Sequence, residues 1–237
     1  MRGVWTGVAL VAGFYLSSPV PADAPKERTP REALQAFNDL IGTWRGAGVP
    51  AGTREEQQRG FWTEKMTWQW KFKGKDAWLA VAFTDSKRFD KAELHYVPAD
   101  DIFKFEVVTP GKETIAFTGR FKERVLTLQR QTDKKETQQL VFTLLHANRF
   151  LYRYEVKPPG KTLFARVFQV GATKEGVAFA AGDGRPACIV SGGLGTIPVV
   201  YKGTTYYVCC SGCRSEFNED PEKYIQEFQR KNARSPK

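Results

Sequence analysis

Cysteine is missing from the first 187 residues of this 237-residue chain, and all four that occur (Cys188, Cys209, Cys210 and Cys213) fall in its last 50 positions. A fold built on disulfides is thereby excluded for the larger part, which has to hold together by burial. Histidine is scarce as well: His95 and His146 are the only two, and none follows position 146. No His-Glu-x-x-His zinc motif, Gly-x-Ser-x-Gly elbow or phosphate-binding glycine loop occurs, so no catalytic constellation emerges. The N-terminal apolar run, Val4 to Leu16, is shorter than the roughly 20 residues a membrane-spanning helix needs, and no later segment qualifies. Glycine (21) and proline (13) follow no period, which excludes collagenous and low-complexity chains. What is present, 41% hydrophobic and 13% aromatic residues, is enough to bury a core and excludes wholesale disorder.

The N-terminus has the three parts of a secretory signal: the positive Met1-Arg2, the apolar run, and a small-residue and proline stretch from Ser17 to Ala24. Cleavage after Ala22 places Val20 and Ala22 at the two small-residue positions, so residues 1–22 are expected to be removed. No cysteine near the cut offers a lipid attachment point. The expectation is an exported protein, periplasmic or secreted, with no transmembrane segment after signal removal. Lysine plus arginine (36) exceed aspartate plus glutamate (26), giving a net charge of +10 that is spread along the chain. Export removes the usual access to nucleic acid, which is not expected as a partner. A basic exported surface instead favours anionic polymers.

Residues 23–30 form a polar tether, and Thr29-Pro30 is an N-cap and first-position pair. Leu34, Phe37, Leu40 and Ile41 then recur at spacings of three and four and predict one amphipathic helix that stops at Gly42. From Phe61 the period becomes two. Trp62, Met66, Trp68, Trp70 and Phe72 share one face, with Thr63, Lys65, Thr67, Gln69 and Lys71 on the other. Further strands are predicted at about 77–84, 91–97, 102–109, 114–121, 124–130, 137–145, 150–156 and 163–170, divided by turns such as Lys73-Gly74-Lys75-Asp76 and Pro158-Pro159-Gly160-Lys161. Connections this short force antiparallel neighbours. With the Trp44 segment the count reaches ten, and a mainly β fold follows: an antiparallel up-and-down barrel over residues 31–175, opened by one helix. The Gly- and Ala-rich stretch that follows reads as a linker over 176–185.

The opening Leu40-Ile41-Gly42-Thr43-Trp44-Arg45-Gly46, a helix running into a Gly-x-Trp strand, is similar to lipocalin-type and nitrobindin-type barrels. That resemblance implies an apolar pocket and, in the nitrobindin case, haem. Read from the residues, His95 alternates with Leu94 and Tyr96 and faces water, and His146 opens a turn. Trp44, Trp62, Trp68, Trp70 and Trp78 either fill a core or line a cavity.

The last segment, 186–230, is expected to be a small α+β cysteine-knuckle domain. Tyr201 to Tyr206 reads as a hairpin turning at Lys202-Gly203, a helix follows from about Ser211, and Asp220-Pro221 starts another through Phe228. Cys210-Ser-Gly-Cys213 stands at a helix start, where free N–H groups favour the thiolate that binds metal. Three or four thiolates suit Zn(II) or Cu(I). Cys209 and Cys210, adjacent on extended backbone, point in different directions, which makes Cys210 a secondary ligand or a pocket-wall thiol. The competing expectation is oxidation, because an exported protein with an even cysteine count ordinarily forms disulfides, here Cys188 with Cys209 or Cys213. A thiol-disulfide oxidoreductase is a third reading, but its usual βαβ context is missing.

The spacing Cys188, twenty residues, Cys209, three residues, Cys213, followed by Arg-Ser-Glu-Phe-Asn-Glu-Asp-Pro-Glu-Lys-Tyr (214–224), resembles the TRASH/YHS family of small metal-binding domains. The resemblance covers about residues 186–230 and implies Cys188, Cys209 and Cys213 as thiolate ligands, in a family associated with heavy-metal sensing, trafficking and resistance. Ile189 departs from the proline many members carry, and the Tyr-His-Ser signature is absent. A fourth ligand would be Cys210, a backbone or carboxylate oxygen, water or a group from elsewhere. The expected function is an exported, non-enzymatic protein that binds or carries a transition-metal ion, with a metal-transport or metal-delivery protein as partner. The alternative is a small-ligand or haem-binding barrel with a disulfide-stapled C-terminal cap.

Overall fold

A computed structural model describes residues 27–176 and 186–233, the side chains of the last two excepted. The expected signal segment, the start of the tether and nearly all of the linker lie outside the described residues.

Thr29 caps the first helix, α1 (Pro30–Leu34), in a reciprocal box with Glu32. The single amphipathic helix expected here is divided, because α1 tightens into a 3-10 segment, Gln35–Leu40. Leu34, Phe37 and Leu40, all buried, stand three residues apart. That is the 3-10 repeat, and it stacks them on one face. Strand β1 (Gly42–Pro50) follows, and then a short helix, α2 (Arg54–Gly60), which buries no side chain and so left no apolar period in the sequence. Its only mark is the cap, Thr53 with Glu56.

The barrel continues through β2 (Trp62–Lys73), β3 (Asp76–Thr84), β4 (Lys91–Val97), β5 (Ile102–Val108), β6 (Thr114–Lys122), β7 (Val125–Gln131), β8 (Thr137–His146), β9 (Arg149–Lys157) and β10 (Ala165–Lys174). Each strand pairs antiparallel with the next, and β1 closes the cylinder against β10, Trp44 opposite Lys174. The ten strands and the up-and-down order are those expected, consistent with a lipocalin-like fold. Closure still leaves local edges where a strand outruns its neighbour, one of them on β2. The β1 pairing of β2 ends at Gly42 opposite Trp68, so β2 overhangs its neighbour from Gln69 onward.

Aromatic rings meet inside the barrel, among them Trp44 against Phe150 (4.8 Å between centroids), Phe105 against Phe142 (5.3 Å) and Tyr152 against Phe168 (6.0 Å). Trp44, Trp62, Trp68 and Trp70 are buried; Trp78 instead stacks on His95 at 5.6 Å and is only half-buried. His95 also lies 3.2 Å from Glu93, and His146 is exposed at the end of β8, just before the turn into β9.

The inward face of β2 holds one residue the alternation did not single out, Glu64. Its Oε2 accepts from Trp62 Nε1 (2.9 Å) and Ser86 Oγ (2.8 Å), and its Oε1 from the Tyr152 hydroxyl (2.5 Å). Burial, and then the Glu64 carboxylate, push the Tyr152 pKa well above its ordinary value. A raised folded-state value stabilises the fold below the unfolded pKa of about 10 and loses that contribution as pH climbs further. Tyr152→Phe is therefore expected to cost about 1.5–3 kcal/mol at neutral pH. The denaturant midpoint would fall with unchanged slope, and the difference from the parent protein would shrink above about pH 10.

The C-terminal segment forms a hairpin, β11 (Ile197–Tyr201) and β12 (Thr204–Val208), then helices α3 (Ser211–Glu219) and α4 (Pro221–Ala233). Lys202 and Gly203 both take positive φ (47° and 77°), the tight two-residue turn that favours glycine at its second position. α3 packs against β2. From the other side, Arg31 of α1 donates to the Val190 carbonyl, pairs with Glu227 (3.0 Å) and lies over the Tyr224 ring (4.9 Å). No helix among the described residues is long and apolar enough to cross a membrane, which says nothing of strands.

Candidate metal centre

Two stretches of chain bring the sulfurs together. The first is a tight turn, in which the Cys188 N–H donates to the Gly193 carbonyl (2.6 Å) and the Gly192 N–H to the Cys188 carbonyl (2.8 Å). The Ile189 N–H donates to the Tyr207 carbonyl (2.9 Å), which lays this turn beside the end of β12. The second stretch runs from Cys209 into α3, where Cys210 is the extended N-cap residue (φ −158°) and Cys213 sits in the first helical turn.

Cys188, Cys209 and Cys213 are buried, and their sulfurs all lie within 4.8 Å of one another, the one such cluster among the described residues. Cys209 and Cys213 Sγ are 3.5 Å apart. Three sulfurs at about 2.3 Å from a shared ion stand roughly 3.8 Å apart, so the donor set fits a thiolate-bound metal. Cys210 is buried beside the triad, its sulfur 3.9 Å from that of Cys209. All four thiols are free.

Hydrogen bonds from Cys209, Cys213 and Ser191 hold the Cys188 thiol far below its ordinary pKa, and those from Cys209 and Cys213 do the same for Cys210. Cys209 is pushed up by donating to Cys188 and Cys210, and Cys213 by burial and then by the neighbouring sulfurs. A bound cation would favour the thiolate form of every sulfur that holds it.

The protein behind the sulfurs includes residues the sequence did not announce. The Ser191 N–H donates to Cys188 Sγ (3.4 Å), and its hydroxyl lies 3.3 Å from Cys209 Sγ. The spacing Cys188-Ile-Val-Ser191 was its only sign. The overhanging edge of β2 supplies the rest: the Trp70 backbone bonds to Cys210, and Ser211 Oγ lies 3.4 Å from Gln69 Oε1. Gly212 approaches so closely that a Cβ there would lie 1.8 Å from the Trp70 carbonyl oxygen.

No curated protein matches the chain. Residues 197–227 match the family model for the YHS domain. The matched stretch carries Cys209, Cys210 and Cys213 and leaves Cys188 to the turn before it, so a C-terminal YHS domain is completed at its sulfur cluster by residues outside the matched segment.

Proposed function

We propose that the protein is a non-enzymatic metal-binding protein that holds or carries a transition-metal ion, Zn(II) or Cu(I), through Cys188, Cys209 and Cys213, with Cys210 as a neighbouring thiol. The observation that carries this reading is the convergence of three buried sulfurs from two stretches of chain. A disulfide would join only two of these three sulfurs, whereas one ion can engage all three. The ion would supply positive charge at the centre of the cluster; the chain supplies soft donors, excludes water by burying them, and orients two of them through Ser191.

The same reading takes residues 31–175 as the barrel and 186–230 as the metal module, joined through 176–185. The signal pattern of residues 1–22 supports export, and in that setting a carrier would exchange its ion with a transport or delivery protein. Aromatic rings meet inside the barrel, while His95 stacks on the half-buried Trp78 and His146 is exposed, which favours a scaffold over a haem pocket.

The test is elemental analysis of the full chain purified under reducing conditions, paired with a thiol count after unfolding in chelator. One ion per chain and four titratable thiols are expected. Metal-free protein with no titratable thiol would instead make the disulfide-stapled cap the right description.

A further inference from the structure

One side chain of the barrel domain connects the barrel wall to the sulfurs. Asn38, in the 3-10 segment after α1, accepts from Trp70 Nε1 at 3.2 Å and donates to the Ser191 carbonyl at 3.0 Å. Its orientation follows from those neighbours, since the reversed amide would set N–H against N–H and oxygen against oxygen. Ser191 passes the connection on, with its N–H on Cys188 Sγ and its hydroxyl beside Cys209 Sγ. Gly193 allows the approach: a Cβ there would press on Asn38 at 3.0 Å. The path therefore runs unbroken from β2 to two of the three sulfurs.

We propose that Asn38 is a positioning residue of the metal centre. By pinning the Ser191 carbonyl it sets the direction of the two Ser191 groups that face Cys188 and Cys209, so the barrel controls how firmly the centre retains its ion. The inference rests on the thiolate-centre reading and goes beyond it, because Asn38 lies 150 residues before the first cysteine and touches no sulfur ligand. Groups that orient ligands from behind typically contribute 10- to 100-fold in metal affinity, which sets the expected size of the effect.

Cobalt(II) serves as the probe, titrated into the reduced full-length chain, with the sulfur-to-cobalt absorption band as the spectral readout and a competing chelator as the measure of affinity and release. Asn38→Ala is expected to bind cobalt about 10- to 100-fold more weakly, release it faster and shift the band. Asn38→Asp keeps the shape and the acceptor for Trp70 but loses the donor to Ser191, and is expected to behave like Asn38→Ala even where its metal-free melting temperature matches the parent's. A variant that melts lower yet keeps the parent's band, affinity and release rate would reduce Asn38 to a structural contact and overturn the proposal. Parent protein with four free thiols and no cobalt band would overturn the centre itself, an outcome separate from parent-like binding in the variants.

Discussion

Serine in place of Cys213 is expected to empty the metal centre. A structural thiolate site contributes about 10–16 kcal/mol in all, so one of three or four sulfurs accounts for about 2.5–5 kcal/mol, or roughly two to four powers of ten in affinity. Cys213 is the sharpest position for this test because it is fully buried in the first turn of α3 and its sulfur belongs to the triad. A hydroxyl there replaces a soft, ionisable donor with a hard one that stays protonated. Cys210→Ser is the paired measurement. Its sulfur lies beside the triad rather than in it, and the loss should be several-fold at most. Affinity read by chelator competition, with metal per chain from elemental analysis, checks both. Equal losses at the two positions would mean that the ligand set is drawn wrongly.

The second large effect is expected at Gly212→Ala. The added Cβ would fall 1.8 Å from the Trp70 carbonyl oxygen and 2.8 Å from its carbon. Both are backbone atoms of β2, fixed by the ladder to β3, with no flexible side chain to swing aside. Relief therefore requires α3 to lift away from the barrel, carrying Cys213 with it. Overpacking ordinarily costs about 1–3 kcal/mol, and a clash against backbone belongs at or above the top of that range. Denaturant unfolding followed by tryptophan fluorescence should show the loss, together with weaker metal binding. Gly111→Ala, whose Cβ would meet only Thr109 Oγ1 at 3.7 Å, is the control and should change stability by less than about 0.5 kcal/mol. Parent-like stability of Gly212→Ala would show that α3 does not seat on β2 as described.

Why the ten strands could be read directly from the residues is clear from β2, β4 and β5: each alternates side chains between a dry and a wet face, and Gly, Pro, Asp or Lys marks each end. The cysteine spacing and the Asp220-Pro221 pair announced the C-terminal elements in the same local way. What escaped depends on partners distant in sequence. Glu64 sits inside the barrel because Tyr152, 88 residues later, meets it there, and alternation reports a face without saying which polar residue on it will be satisfied. Asn38 and Ser191 are 153 residues apart, and each alone is an ordinary polar residue in a turn or helix. The docking of α3 depended on strand lengths, since only the paired register reveals that β2 outruns β1.

Barrel closure has a last consequence for the metal centre. Because β1 pairs with β10, the start of β1 and the end of β10 lie on the same rim, with Trp44 opposite Lys174. The segment bearing Asn38 enters at that rim, and the chain toward the cysteines leaves from it. Docking of the cysteine segment is therefore an intramolecular encounter between near neighbours, at an effective concentration on the order of millimolar. The contacts that seat the cysteine segment, those of Arg31 and Asn38 and the approach of Gly212 to Trp70, are therefore made without the full loss of freedom that two separate molecules would suffer on meeting.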